Sequence, residues 1–274
     1  MSSKGVALVT GAAQGIGRAI ALRLAQDGFD IAVNDISANS ANLDSLVDEI
    51  KQKGRKSSKH VADVSQEDSV KEMFDEVVKE HGGLDVMVAN AGVAGPYGTP
   101  LTTLTADQWD KVMGVNARGT FLSYKYAGLQ MIKQGRGGRI IGASSYMGKK
   151  GNFVLCPVLQ ANPLWDAGTA TQGVYSASKF AVRGLTQAAA SEFGPHGITV
   201  NAYAPGAINT SMLTGGTSTT EQAEALLERF KAMSPLNMVG TPEDIANLVS
   251  FLASKESQFI TGQSVSINGG LFFD

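Results

Sequence analysis

Seven short apolar runs recur along the chain, and the residues between them follow a one-face helical spacing. The runs are VALVT (6–10), DIAVNDI (30–36), KHVADV (59–64), LDVMVAN (84–90), RIIGASS (139–145), ITVNAYA (198–204) and SVSIN (264–268). Each is continuous rather than alternating and rich in Val, Ile and Ala, as parallel strands covered on both faces require. Helices are predicted between them. SQED (65–68) and TADQ (105–108) have the form of capping boxes, and TPED (241–244) adds a proline at the first helical position. This βα alternation predicts a doubly wound, parallel, seven-stranded α/β sheet of the Rossmann type. Two stretches break the alternation: 148–174, and 206–220 with its excess of Gly, Thr and Ser.

Composition narrows the picture. A length of 274 residues, 43% hydrophobic and 18% charged, suits one large domain over 1–274 with a core that needs no staples. Lys and Arg number 23 against 25 Asp and Glu, a net charge of −2, so no basic footprint for nucleic acid is expected. No apolar run reaches membrane-spanning length, and the start of the chain lacks a signal-peptide core. One cysteine cannot form an internal disulfide, which suits a reducing, cytoplasmic setting. His60, His81 and His196 are scattered in sequence, so no metal site is expected.

Candidate chemistry begins at VALVTGAAQGIGRAIALRLAQDG. This reads as a strand, a turn built on Gly11, Gly15 and Gly17, and a helix starting near Ile16, with Gln14 in the turn. Glycines admit close backbone approach, and a helix start offers free N–H groups to an anion. Asp35 ends the second run close to the roughly 20 residues beyond the glycines at which an acid meets a ribose 2′-OH. A carboxylate there repels a 2′-phosphate, and neither Gln14 nor Ile36 is basic, so the pattern points to NAD(H) over NADP(H). Farther on, Tyr175 and Lys179 stand one helical turn apart in YSASKFAVRGLTQAAASEFG. A free phenol, with a pKa of about 10, is too weak an acid for neutral-pH catalysis, and a neighbouring ammonium favours its ionised form.

With both motifs in place, the chain resembles the short-chain dehydrogenase/reductase family in its short, single-domain form. The resemblance runs through TGAAQGIG (10–17), DV (63–64), NAG (90–92), VNARG (115–119), ASSYMG (143–148), YSASK (175–179) and PGAINT (205–210). It implies that Tyr175 is the general acid–base and that Lys179 holds the nicotinamide ribose and lowers the tyrosine's pKa. Ser145 would hold the substrate oxygen, with Ser144 as the neighbouring alternative, and Asn116 would hold a water relaying protons from Lys179. Asp63 and Val64 would neighbour the adenine. Asn90 and Gly92 would line the cofactor cleft, Pro205, Gly206 and Ile208 would also contact the cofactor, and Thr210 would meet its carboxamide. One departure stands out: the usual asparagine pair before AG is Ala89–Asn90 here.

YSASKFAVRGLTQAAA (175–190), GITVNAYAPG (197–206) and LVSFLASKESQFITGQSVSINGG (248–270) look like the acetoin/diacetyl reductases (2,3-butanediol dehydrogenases). The resemblance thus implies hydride transfer between NAD(H) and a small secondary alcohol or ketone. The alternatives are a polyol or sugar dehydrogenase, a 3-oxoacyl-carrier reductase, and a catalytically silent NAD-binding regulator. Relatives are commonly tetramers or dimers, so a homo-oligomer is expected. The stretch at about 149–170, with Cys156, Leu164 and Trp165, reads as an insertion: a lid or pocket wall, a surface excursion, or a subunit-contact patch. Residues 207–233, about, are expected to form a mobile substrate loop.

Overall fold

The computed structural model describes residues 3–96, 99–150 and 172–274. All seven expected strands are present: β1 (Val6–Thr10), β2 (Asp30–Asp35), β3 (Ser57–Val61), β4 (Val86–Ala89), β5 (Gly138–Ala143), β6 (Ile198–Pro205) and β7 (Ser264–Ile267). They form one parallel sheet in the order β3-β2-β1-β4-β5-β6-β7. Helices cover both faces: α1 (Gly15–Asp27), α2 (Ser40–Gln52), α3 (Glu67–His81), α4 (Ala106–Met113), α5 (Gly119–Gln134), α6 (Gly173–Phe193), α7 (Ser211–Thr214), α8 (Thr220–Met233) and α9 (Pro242–Ala253).

Two cores flank the sheet, and they explain why its strands are apolar on both sides. On one face Ile20 and Leu24 of α1, Leu43 and Leu46 of α2, and Ile245 and Val249 of α9 pack on Val9, Ile31 and Val33. On the other, Met73 and Phe74 of α3, Leu122 and Met131 of α5 and Phe193 of α6 pack on Leu8, Met87 and Val200. Helices α1 and α2 lie on the first face and α3 on the second, so the strand order reverses between β1 and β4. In open sheets of this kind, ligands bind at the carboxyl ends of the strands flanking that reversal.

Several expectations are corrected. β3 occupies 57–61 rather than 59–64, because its pairing with β2 ends at Asp35 opposite Val61. The capping box at 65–68 does not form: the Asp63 carboxylate takes both the Ser65 N–H (2.9 Å) and its hydroxyl (2.8 Å), and α3 starts at Glu67 without a side-chain cap. The boxes at Thr105 and Thr241 do form. The histidines are not all scattered. His60 Nε2 and His81 Nε2 lie 2.8 and 2.7 Å from the Ser58 hydroxyl, and burial lowers the pKa of His81. Among the described residues no cluster of three or more His, Cys, Asp or Glu is arranged to hold a metal. No described helix is long and apolar enough to cross a membrane. The expected insertion lies outside the described residues apart from its first two lysines, and Cys156, Leu164 and Trp165 fall there.

Candidate active site

The glycine turn after β1 is shaped by contacts that exclude side chains. Gly11 has φ +62°, and a Cβ there would come within 2.8 Å of the Ala91 backbone. A Cβ on Gly17 would run into the Gly11 carbonyl oxygen and lie 2.5 Å from Asn90 Nδ2. Helix α1 then starts at Gly15 with no side-chain cap on Gln14 and no acid in its first turn. Its leading N–H groups therefore face the cleft uncompensated, which suits a phosphate.

Asn90 fixes the opposite side of this turn. Its Nδ2 donates to the carbonyls of Thr10 (2.9 Å) and Gly11 (3.0 Å), and its Oδ1 accepts from the Tyr203 hydroxyl (2.7 Å). One amide thus does the bracing after β4, with Ala89 buried in the strand. At the end of β2, Asp35 Oδ2 accepts from Ala13 N (3.1 Å), and Oδ1 accepts from Ile36 N (2.9 Å) and Asn39 Nδ2 (2.8 Å). A carboxylate has about four lone-pair sites, so the aimed group keeps capacity for one more donor. Asn39 was not anticipated from the sequence.

The second cluster is built on the first turns of α6. Lys179 Nζ is buried, donates to the Ala143 carbonyl at the end of β5 (2.8 Å) and lies 5.5 Å from the centre of the Tyr175 ring. Burial without a carboxylate partner pushes its pKa down to about 8. Ser178 donates to the Tyr175 carbonyl (2.7 Å) and accepts from Asn116 Nδ2 (3.0 Å). Asn116 sits in a π-helical turn, Gly114–Arg118, that joins α4 to α5. Such turns put a local bulge in a helix and are frequent at functional sites. From there its amide clamps Val93, accepting from the N–H (2.8 Å) and donating to the carbonyl (2.9 Å). A Cβ on Gly92 would fall 3.3 Å from Asn116 Oδ1 and 3.5 Å from Lys179 Nζ, so the glycine keeps a gap between them.

The two serines differ. Ser144 Oγ donates to the Lys179 carbonyl (3.1 Å), committing its proton to the scaffold. Ser145 Oγ accepts from Met147 N (3.2 Å), which leaves its proton available to a ligand. The turn carrying them packs tightly on α6: a Cβ on Gly148 would lie 2.6 Å from both the Lys179 carbonyl oxygen and Ser144 Oγ.

One cavity of about 790 Å³ joins both clusters. Every expected cofactor position from Gly11 to Thr210 lies on its wall, together with Ser145, Tyr175 and Lys179. Asp63 lines it too, its Oδ1 accepting from the N–H and hydroxyl of Ser65. Asn116 is not on the wall; it is fully buried behind it and reaches the site through Ser178 and Val93. The segment expected as a substrate loop carries α7 and α8, which supply Met212, Leu226, Arg229, Phe230 and Met233 to the cavity. The sequence carried a signal for these, since Leu226, Phe230 and Met233 follow the i, i+4, i+7 spacing of one helix face.

A protein-family profile described as enoyl-(acyl carrier protein) reductase matches residues 11–272. A short-chain dehydrogenase/reductase of Armillaria gallica is 52% identical over 98% of this chain and 96% of its own length. A 3-oxoacyl-[acyl-carrier-protein] reductase of Staphylococcus aureus is 41% identical over 97% of each chain. Among solved structures, an acetoin dehydrogenase from Salmonella typhimurium superposes with a TM-score of 0.80 at 32% identity, covering 99% of this chain and 96% of the other.

Proposed function

Because the chain belongs to the short-chain dehydrogenase/reductase family, a family of oxidoreductases, we propose that it interconverts a secondary alcohol and a ketone using NAD(H). The observation that carries this reading is the single cavity joining the glycine turn and Asp35 at one end to Ser145, Tyr175 and Lys179 at the other. The residues present fit a dinucleotide: a phosphate suits the uncapped α1 start and the space kept by Gly17, and a ribose diol suits the spare capacity of Asp35.

A bound nicotinamide would supply the hydride half of the reaction. The chain's part is to hold the substrate and move one proton. The Ser145 hydroxyl donates to the substrate oxygen, and Tyr175 gives or takes the proton of the alcohol. Lys179, held by the Ala143 carbonyl, favours the tyrosinate and engages the ribose. Asn116 and Ser178 fix the first turn of α6 against the loop after β4, with a proton route along the gap at Gly92.

The preference for NAD rests on Asp35 and on the absence of a basic residue at Gln14, Ile36 and Asn39. The acetoin/diacetyl reading draws support from the Salmonella typhimurium neighbour, and the 3-oxoacyl reading from the Staphylococcus aureus relative. A homo-oligomer in the cytoplasm completes the proposal: Trp109, Phe121, Leu129 and Phe180 stand exposed on α4, α5 and α6, an apolar surface available for subunit pairing.

The test is NADH oxidation with a panel of ketones. Tyr175→Phe is expected to lower kcat by roughly 10²- to 10⁴-fold, the range for a lost general acid–base, while NADH still binds. Equal activity of wild type and variant would overturn the assignment.

A further inference from the structure

The geometry points to a substrate with a bulky apolar body, held against one face of α8, rather than a small polar diketone, a sugar or a polyol. This rests on the dehydrogenase reading above and narrows its substrate class.

An amphipathic helix ordinarily buries its apolar stripe. Helix α9 does so, with Ile245, Ala246, Val249, Leu252 and Ala253 all buried. Helix α8 carries a stripe of its own at Leu226, Phe230 and Met233, yet none of its 14 residues is buried. Those three side chains line the cavity that holds Ser145 and Tyr175, as do Met212 from α7 and Met147 from the serine turn. The stripe is therefore turned toward the reaction site.

The polar lining is distributed unevenly. Among the described residues the cavity's carboxylates are Asp35, Asp63 and Asp110, none of them on α7 or α8. Those two helices contribute only Ser211 and Arg229 as polar lining, with no acid or amide. A sugar or polyol pressed against such a wall would bury hydroxyls without partners, which is costly. An apolar body gains instead, roughly fourfold in affinity for each CH₂ it buries. There is room beyond the stripe as well. A second cavity of about 360 Å³, lined by Leu236, Leu248 and Leu271 on one part and by Asp244, Asn247 and Asn268 on another, shares Ala207, Ile208 and Phe230 with the first. Phe230 thus faces both spaces.

The experiment compares 2-decalone, cyclohexanone, diacetyl and fructose as substrates of the full chain with NADH, and measures binding of 2-decalone to the protein–NADH complex by calorimetry. Wild type is expected to favour 2-decalone over diacetyl and fructose at least tenfold in kcat/KM. Leu226→Gln/Met233→Gln is expected to reduce the decalone-to-diacetyl ratio at least tenfold and to weaken decalone binding. A wild-type preference for diacetyl or fructose overturns the inference. So does an unchanged ratio, which would mean that the stripe does not touch the substrate. If diacetyl is reduced while decalone neither reacts nor binds, the apolar-substrate inference falls and the dehydrogenase reading stands. If no ketone reacts but decalone binds wild type more tightly than the variant, the outcome is reversed.

Discussion

The two ends of the cavity are built in opposite ways. At the β1–α1 end, shape comes from backbone in close approach: Gly11 against Ala91, Gly17 against the Gly11 carbonyl, and Asn90 bridging both sides. At the α7–α8 end, shape comes from side chains on a helix with no buried residue. Close-packed backbone tolerates almost no substitution, whereas half-exposed side chains can change without disturbing the sheet. One end is thus suited to a constant ligand, and the other to a ligand that differs from one relative to the next.

The sharpest way to break this comparison is Gly17→Ala. The added methyl collides with backbone, and the turn must open, so NADH affinity is expected to fall roughly a hundredfold or more, equivalent to about 3 kcal/mol. A fluorescence titration checks this, and unchanged affinity would mean that the turn is as pliant as α8. Asp35→Ala is the next largest. It removes the acceptor at the end of β2, together with its bond to Ala13 N in the glycine turn, and is expected to narrow the NADH-to-NADPH ratio of kcat/KM about tenfold, the scale of one lost hydrogen bond to a charged group. A wild-type preference for NADPH would refute the role given to Asp35.

The smallest effect lies between the two ends, at Lys179. Its folded pKa of about 8 is below the ordinary value of 10.5, so the unfolded chain binds more protons across that window. This group's contribution to stability therefore rises with pH from about 8 toward 10.5. Lys179→Met should abolish that rise, so the Tm of wild type relative to the variant should increase on going from pH 7.5 to 9.5. A constant gap would show that burial does not disfavour the ammonium.

The sheet was legible because its central strands, β1, β4 and β6, are buried on both faces and therefore read as uninterrupted apolar runs. Strand ends were less so: ADV at 62–64 is as apolar as the run before it, yet pairing with β2 has already stopped at Val61. The Ser65 cap failed for a related reason, since a nearer carboxylate, Asp63, claimed its hydroxyl. Tyr175 and Lys179 were readable from a spacing confined to one helical turn. Asn116 was readable as a position, but not its π-helical setting, which depends on Val93 and Ser178 being brought to it from other elements. The meeting of His60 and His81 at Ser58 likewise depends on β3 and α3 being adjacent in space. Helix α8 was obscured by its own leader: the Gly-, Thr- and Ser-rich stretch before it read as loop, though Thr219 in that stretch caps the helix.

The Asn90 amide has a mechanical consequence. By bonding to Thr10, Gly11 and Tyr203, it ties the ends of β1, β4 and β6 together, and Tyr203 is buried. The sheet edge cannot dilate by sliding one strand past another unless these bonds break together. Widening of the cleft is therefore expected to cost least at the α7–α8 wall, where neither helix has a buried residue.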